Sequence, residues 1–401
     1  MFSGYRTRFP SGTSLGDALN GHRNSLGLLR LFFAVAVIFS HAFFLGGYGG
    51  DPSLGWTLGQ TTIGGIAVDG FFAISGYLIA KSGATSDVVQ FLWRRALRIF
   101  PAFWTLLLVS AAVIGPIFWV LSGNAFRSYV SFGDGGPWTY ITRNWRLTPG
   151  QYGIWDIFAS TTPYGLQVNG SVFNGSIWTL EYEWFCYMII AALCFMAALT
   201  RAKILVPVLT GVFFLLLFTN TVIPGAIGNI VPFLGDNYRL AFPLVFLLGS
   251  TLAMYSKKVP FSGWMALGSL AIFLATLRWG GYKLIGVAAL VYLVLWLAAA
   301  LPRRFQWIGQ KNDYSYGIYI YGWPVGQMLA FFGLEKWGYV PYVAITIVGT
   351  AALAWLSWHG IEKWAMSIKD WGPGRGVRHW VDRIRHRFSR RSTTSASESS
   401  R

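Results

Sequence analysis

Ten apolar runs, each close to the length a lipid bilayer requires, limit what this chain can fold into more than any other feature. They fall near 26–46, 62–80, 99–121, 178–200, 204–220, 240–255, 262–277, 284–300, 314–334 and 341–359. A helix needs about 20 apolar residues to cross a bilayer, and ~17 is the lower limit. The expected fold class is therefore all-α, a polytopic membrane protein of about ten transmembrane helices. Composition agrees. Charged residues are 12% of the chain and hydrophobic ones 54%, whereas a soluble surface needs roughly a quarter charged. An aromatic share of 17% fits a protein whose Trp and Tyr collect at two bilayer interfaces.

The net charge of +17 would suit nucleic acid if it formed one patch. Instead the cations lie in short clusters between apolar runs and in the tail, so no nucleic-acid partner is expected. With the N-terminus inside, 24 of the 32 Lys and Arg fall on the cytosolic side and 7 outside, with Arg30 in the first run. That bias predicts both termini in the cytosol. Cys186 and Cys194 share one apolar run, which leaves no disulfide framework or thiolate metal site. No small-residue cleavage site follows the first run, so it reads as a signal anchor. No internal repeat suggests a two-fold transporter architecture.

The expected organisation is a cytosolic segment over 1–25, a membrane domain over 26–364, a basic amphipathic cytosolic tail over 365–391 and a disordered end over 392–401. In the tail, Val377, Trp380, Val381, Ile384 and Phe388 recur at helical spacing among arginines, the pattern of a helix lying on an anionic leaflet. The outer segment 122–177 carries Tyr129, Trp138, Tyr140, Trp145, Tyr152, Trp155 and Tyr164 among Gly, Ser and Asn. Such a segment can bind sugars by ring stacking, or it can dip into lipid headgroups.

Ionisable groups inside a bilayer are costly and mark candidate sites. Arg30 and His41 share the first run. Eleven residues at ~100° each end about 20° past three full circles, so the two lie on one stripe about 16 Å apart. Asp69 in the second run, and Glu181 and Glu183 at the start of the fourth, count to a depth similar to that of His41. A histidine near carboxylates can serve as a general base, carry coupled protons in a transporter, or merely bond helix to helix. Arg94, Arg95 and Arg98 precede the third run. Arg95 and Arg98 would be helix neighbours and form either a phosphate clamp or a positive-inside anchor.

Six motifs in order resemble the acyltransferase-3 family. LRLFFAVAVIFSHA resembles its first-span Arg and His, and VDGFFAISGYLIA its Asp-led second span. RRALRIFP is similar to its Arg-x-x-Arg motif, and NGSIWTLEYEWFCY to a Trp-led motif that selects Glu183 over Glu181. DYSYGIYIYGWPV and WHGIEKW resemble its ninth span and its closing Ile-Glu motif. Two departures accompany them. Many members have a His where this chain has Gly322, so no second catalytic His is assigned. Many also carry an extracytoplasmic SGNH-type domain, which no stretch here could encode, so the membrane domain is expected to handle the acceptor itself.

The resemblance implies acyl transfer, usually of acetyl, from acyl-CoA to a hydroxyl of a cell-envelope or exported glycan, by a multi-pass protein of the bacterial inner membrane. CoA phosphates would meet Arg95 and Arg98, with Arg30 deeper. His41 would deprotonate the acceptor or carry the acyl group transiently, oriented by Glu183 or Asp69. Ser75, Tyr316 and Tyr319 are candidate oxyanion donors, and Trp178 is a substrate-side or supporting residue. No metal is expected, because one membrane His supplies no ligand set. The competing expectation is a proton-coupled transporter of a small organic ion using Asp69, Glu183 and His41.

Overall fold

The computed structural model describes residues 12–21 and 24–370, and among them it is helical with no strand. The tail face from Val377 to Phe388 and the end at 392–401 lie outside the described residues. Ten helices of 17 residues or more build the described body. They are α1 Leu26–Leu45, α2 Ile63–Thr85, α3 Val88–Leu121, α4 Thr179–Phe195, α5 Leu205–Val222, α6 Tyr238–Met254, α7 Gly263–Trp279, α8 Tyr282–Ala300, α9 Ser315–Phe331 and α10 Tyr339–Ser367. Six of them (α1, α2, α3, α5, α8 and α10) are long and apolar enough to cross a membrane. The other four have 17 residues each, about 25 Å of axis and so at the lower limit. Large apolar side chains point outward from several helices, among them Phe32, Leu215, Leu267 and Val348, as a lipid-facing surface allows.

The third helix begins well before its apolar run. Asp87 caps it by accepting from the Val89 and Gln90 amides, which satisfies donors that a helix start leaves open. Arg94, Arg95 and Arg98 therefore stand on the helix itself. A π turn at Ser110–Ile114 interrupts it, and similar turns open α8 at Tyr282–Gly286 and bend α10 at Trp358–Glu362. Such turns shift the helical register and often accompany functional sites.

Small residues set the closest crossing, as expected where apolar burial cannot drive helix association. A Cβ on Gly76 of α2 would stand 1.9 Å from the Phe246 carbonyl oxygen of α6, and one on Gly249 would stand 2.3 Å from the Ala73 oxygen. A further tie fixes α2 to the start of α8. The Asp69 carboxylate accepts from the Tyr282 hydroxyl at 2.7 Å and the Lys283 ammonium at 3.0 Å.

The segment 122–177 is a packed cap with three short helices, Phe126–Tyr129, Pro137–Asn144 and Pro163–Val168. Its seven Tyr and Trp residues divide by role. Tyr129 and Tyr140 are core, and the Trp155 indole donates to the Tyr129 carbonyl at 3.0 Å. Trp138 and Trp145 are exposed. Tyr152 and Tyr164 line an internal cavity described below. Asn174 and Gln327 stitch the cap to α9 through the Ile320 and Val172 carbonyls, each at 2.9 Å.

Candidate active site

Two cavities open inside the helical body, one near each end of α1. The first, of about 270 Å³, lies at the Arg30 end and is walled by α1, α2, α3, α4, α9 and α10. Its polar side chains are the three arginines 30, 95 and 98, the carboxylates of Glu183 and Asp313, and Ser75, Thr179, Tyr187, Tyr316 and Tyr319. The arginines are not equivalent. Arg30 and Arg98 both bond Asp313, Arg98 at 2.7 Å, and Arg98 also has Glu362 at 3.5 Å. Asp313, just ahead of α9, is further held by the Ser315 hydroxyl at 2.5 Å. Burial opposes its charge, but Arg30 and Arg98 override that and hold its carboxyl down at about 2.

Arg95 differs. Among the described residues it makes no ion pair or hydrogen bond, its Nε is buried without a partner, and its guanidinium stands 5.9 Å from the Tyr187 ring centre. The Tyr187 hydroxyl donates to Glu183, and that carboxylate is part of the charge field felt by Arg95. With no direct bond to its guanidinium, Arg95 is poised to gain from an incoming anion. Ser75 also lines this cavity and has no hydrogen bond within the described protein. By contrast Tyr316 donates to the Ile99 carbonyl at 3.0 Å, and Tyr319 shares a 2.5 Å bond with Thr179. Ser75 is thus the donor still free for a ligand.

The second cavity, of about 560 Å³, lies at the His41 end. Phe44, Tyr152, Tyr164, Trp178, Tyr182, Tyr238 and Trp323 supply most of its wall, with His41 among them. The His41 ring meets Trp323 edge-on at 4.9 Å and forms no hydrogen bond within the described protein, so its nitrogens are open to a ligand. Thr179 and Tyr319 line the first cavity, while Trp178 beside one and Trp323 one turn beyond the other line the second. The Thr179–Tyr319 bond therefore stands between the walls of the two cavities.

A model of the acyltransferase-3 family, described as an acyltransferase domain, matches residues 23–359. The chain belongs to this family. The acyltransferase is 30% identical over 351 residues to a protein of Shigella phage Sf6 called O-acetyl transferase, covering 85% of this chain and 95% of that one. It is also 30% identical over 373 residues to Nodulation protein 10 of Rhizobium leguminosarum bv. viciae, covering 87% and 95%. No solved structure matches it.

Against this geometry the expected site of the acyltransferase divides. Arg30, Arg95, Arg98, Ser75, Glu183, Tyr316 and Tyr319 come together in the first cavity, and His41 and Trp178 in the second. The expected cluster of His41 with Asp69 and Glu183 does not form. Glu183 turns toward Arg95 and Tyr187, and Asp69 lines neither cavity because Tyr282 and Lys283 take its carboxylate. Equal depth on three helices does not make their side chains face one another. Glu181 also stands apart, paired with Arg239 at 2.7 Å, and Arg94 pairs outside the site with Asp370 at 2.6 Å.

A carboxylate tied to the residue next to His41 is Asp51, in the turn after α1. It is buried, accepting from the Ser40 hydroxyl at 2.5 Å and from Ser53 through its hydroxyl at 2.5 Å and its amide at 2.9 Å. Sequence reasoning missed Asp51, which lies among Gly and Pro with no helical spacing to His41. It also missed the roles of Asp313 and Glu362, although both stand in quoted motifs. Gly322 has a steric reason: a Cβ there would lie 2.8 Å from Ile38 Cγ1 of α1, so this chain has filled that place from the other helix.

Proposed function

We infer that this protein is a multi-pass O-acetyltransferase of the bacterial inner membrane that moves acetyl from cytosolic acetyl-CoA to a glycan hydroxyl presented outside. The observation that carries this reading is the pair of cavities along one stripe of α1. One is cationic with an unpaired Arg95, and the other is aromatic with an unbonded His41. The name of the phage relative supports acetyl as the group moved. The cation bias supports cytosolic termini, with all ten helices crossing, the four 17-residue ones included.

In this mechanism a CoA phosphate meets Arg95, while Asp313 keeps Arg30 and Arg98 in place around it. The pantetheine arm passes Thr179 and Tyr319 and brings the thioester to the junction of the cavities. His41 takes the proton of the acceptor hydroxyl as that oxygen attacks the carbonyl carbon. The carbon–oxygen ester bond forms, the carbon–sulfur bond breaks, and the proton passes from His41 to the departing thiolate. Ser75 donates to the oxyanion. Glu183 accepts from the Tyr187 hydroxyl in the first cavity and does not orient His41.

The test uses the full chain in lipid nanodiscs with acetyl-labelled acetyl-CoA and an envelope glycan extract. One free CoA thiol should appear for each acetyl ester formed on glycan. A proton-coupled transporter has no reason to cleave the thioester, so an intact thioester and an unlabelled glycan would contradict the reading.

A further inference from the structure

We propose that the cavity at His41 is the acceptor site and that it selects an uncharged sugar ring, held between aromatic faces with the reacting hydroxyl turned toward His41. This rests on the acyltransferase reading above and adds to it where the acceptor sits and what kind it is. Three features of the cavity carry the proposal.

The first is the absence of charge. Among the described lining residues there is no Asp, Glu, Lys or Arg. The nearby charged groups are engaged by other protein groups: Arg239 is paired with Glu181 at 2.7 Å, Asp236 accepts the Tyr182 hydroxyl, and Asp51 accepts from Ser40 and Ser53. A uronate or phosphorylated sugar would be stripped of water here with no cation to meet it, at a cost of several kcal/mol. A neutral sugar incurs no such penalty.

The second is wall geometry. Trp178 and Tyr238 approach with ring centres 4.7 Å apart at 63°, and Tyr164 meets Trp323 at 5.1 Å and 86°. Each of these contacts sets the edge of one ring on the face of another, and Tyr238 also stacks on Phe242, whereas Tyr152 meets no other ring among the described residues. The C–H face of a pyranose ring is the apolar surface that matches such a wall. An alkyl chain would fit it poorly, because Tyr152, Tyr164 and Tyr238 belong to the same lining with hydroxyls that make no hydrogen bond within the described protein and suit a ligand with polar edges.

The third is origin and size. Tyr152 and Tyr164 come from the packed cap, whereas Trp178, Tyr182, Tyr238 and Trp323 come from α4, α6, α9 and their approaches. The volume of about 560 Å³ lies within the range of ~300–1,000 Å³ typical of small-molecule sites. It exceeds that of the Arg-lined cavity, about 270 Å³.

The experiment presents the full chain in nanodiscs with labelled acetyl-CoA and two fragment panels. One panel is neutral (glucan, mannan, galactan, rhamnan, xylan and chitin fragments), and the other is polygalacturonate and polyglucuronate fragments. Acetyl esters should form on at least one neutral fragment and on neither uronate. Tyr152→Ala, at a partly exposed cap position, and Trp178→Phe should weaken that fragment by about tenfold in KM. CoA affinity should stay at the parent value. A preference for uronates, transfer to no neutral fragment, or an unchanged KM in both variants would overturn the proposal. Thioester cleavage that continues in any of these cases would leave the acyltransferase reading standing, and its loss would remove both.

Discussion

Two arginines one turn apart, Arg95 and Arg98, should respond to the same substitution in opposite ways. Arg98 supports the fold. Its side chain is 13% exposed and reaches Asp313 at 2.7 Å and Glu362 at 3.5 Å. Removing one partner of a buried pair costs ~3–5 kcal/mol. Arg30 still bonds Asp313, so Arg98→Met should lose about 3 kcal/mol, the low end. Arg95 has no ion pair to lose among the described residues and a buried Nε without a partner. Arg95→Met breaks no ion pair or hydrogen bond among the described residues, so the melting temperature should stay level. It should also remove a charge-assisted phosphate contact of ~1.5–3 kcal/mol, about 10- to 150-fold in Kd for CoA. Calorimetric titration with CoA and thermal unfolding of the same nanodisc samples give both numbers. Asp313, held at about 2, contributes stability that is present above the unfolded carboxyl range and lost only as pH falls toward 2. Arg95→Met melting as low as Arg98→Met, or binding CoA like the parent, would refute the division of roles.

Asp51→Asn keeps the size of the side chain but removes the charge bonded to Ser40, the neighbour of His41. Transfer should fall roughly tenfold, as for a charge interaction of ~1–1.5 kcal/mol, with CoA Kd unchanged; an unaltered rate would leave Asp51 as a turn anchor. Gly322→His should destabilise by ~1–3 kcal/mol through overpacking against Ile38, and Ile38→Ala should recover much of that, as a double-mutant thermal series would show. Single cysteines at exposed Ser131 and Lys257, in a chain lacking Cys186 and Cys194, should react with impermeant thiol reagents from opposite faces. Labelling from one face would reject the proposed orientation.

The helical body was readable because apolar length and helix length are coupled by a bilayer. Each of the ten runs overlaps one long helix, and the largest error, the start of α3, came from arginines that a capped helix carries in its first turns. Arg30 and His41 on one stripe was also readable, since both belong to a single regular helix. The mistaken cluster of His41, Asp69 and Glu183 shows the limit of such reasoning. Counting residues gives depth but not the rotation of each helix about its own axis, and that rotation is set by packing such as Gly76 against Phe246. The Arg30–Asp313 and Arg98–Glu362 pairs join residues hundreds of positions apart, and no local pattern encodes such pairings. Asp51 was invisible for a related reason: its place comes from a turn closed by Ser40 and Ser53.

The central claim is that His41 performs acid–base chemistry between the two cavities. His41→Gln keeps polarity and approximate size, and the parent ring has no hydrogen bond in the described protein for the substitution to break. The rate of acetyl transfer from acetyl-CoA to glycan, measured beside CoA affinity and melting temperature, tests it directly. The variant should fold and bind CoA like the parent yet transfer ~100- to 10,000-fold more slowly. A folded, CoA-binding variant that transfers at the parent rate would contradict the account and leave His41 as one more ring in an aromatic wall.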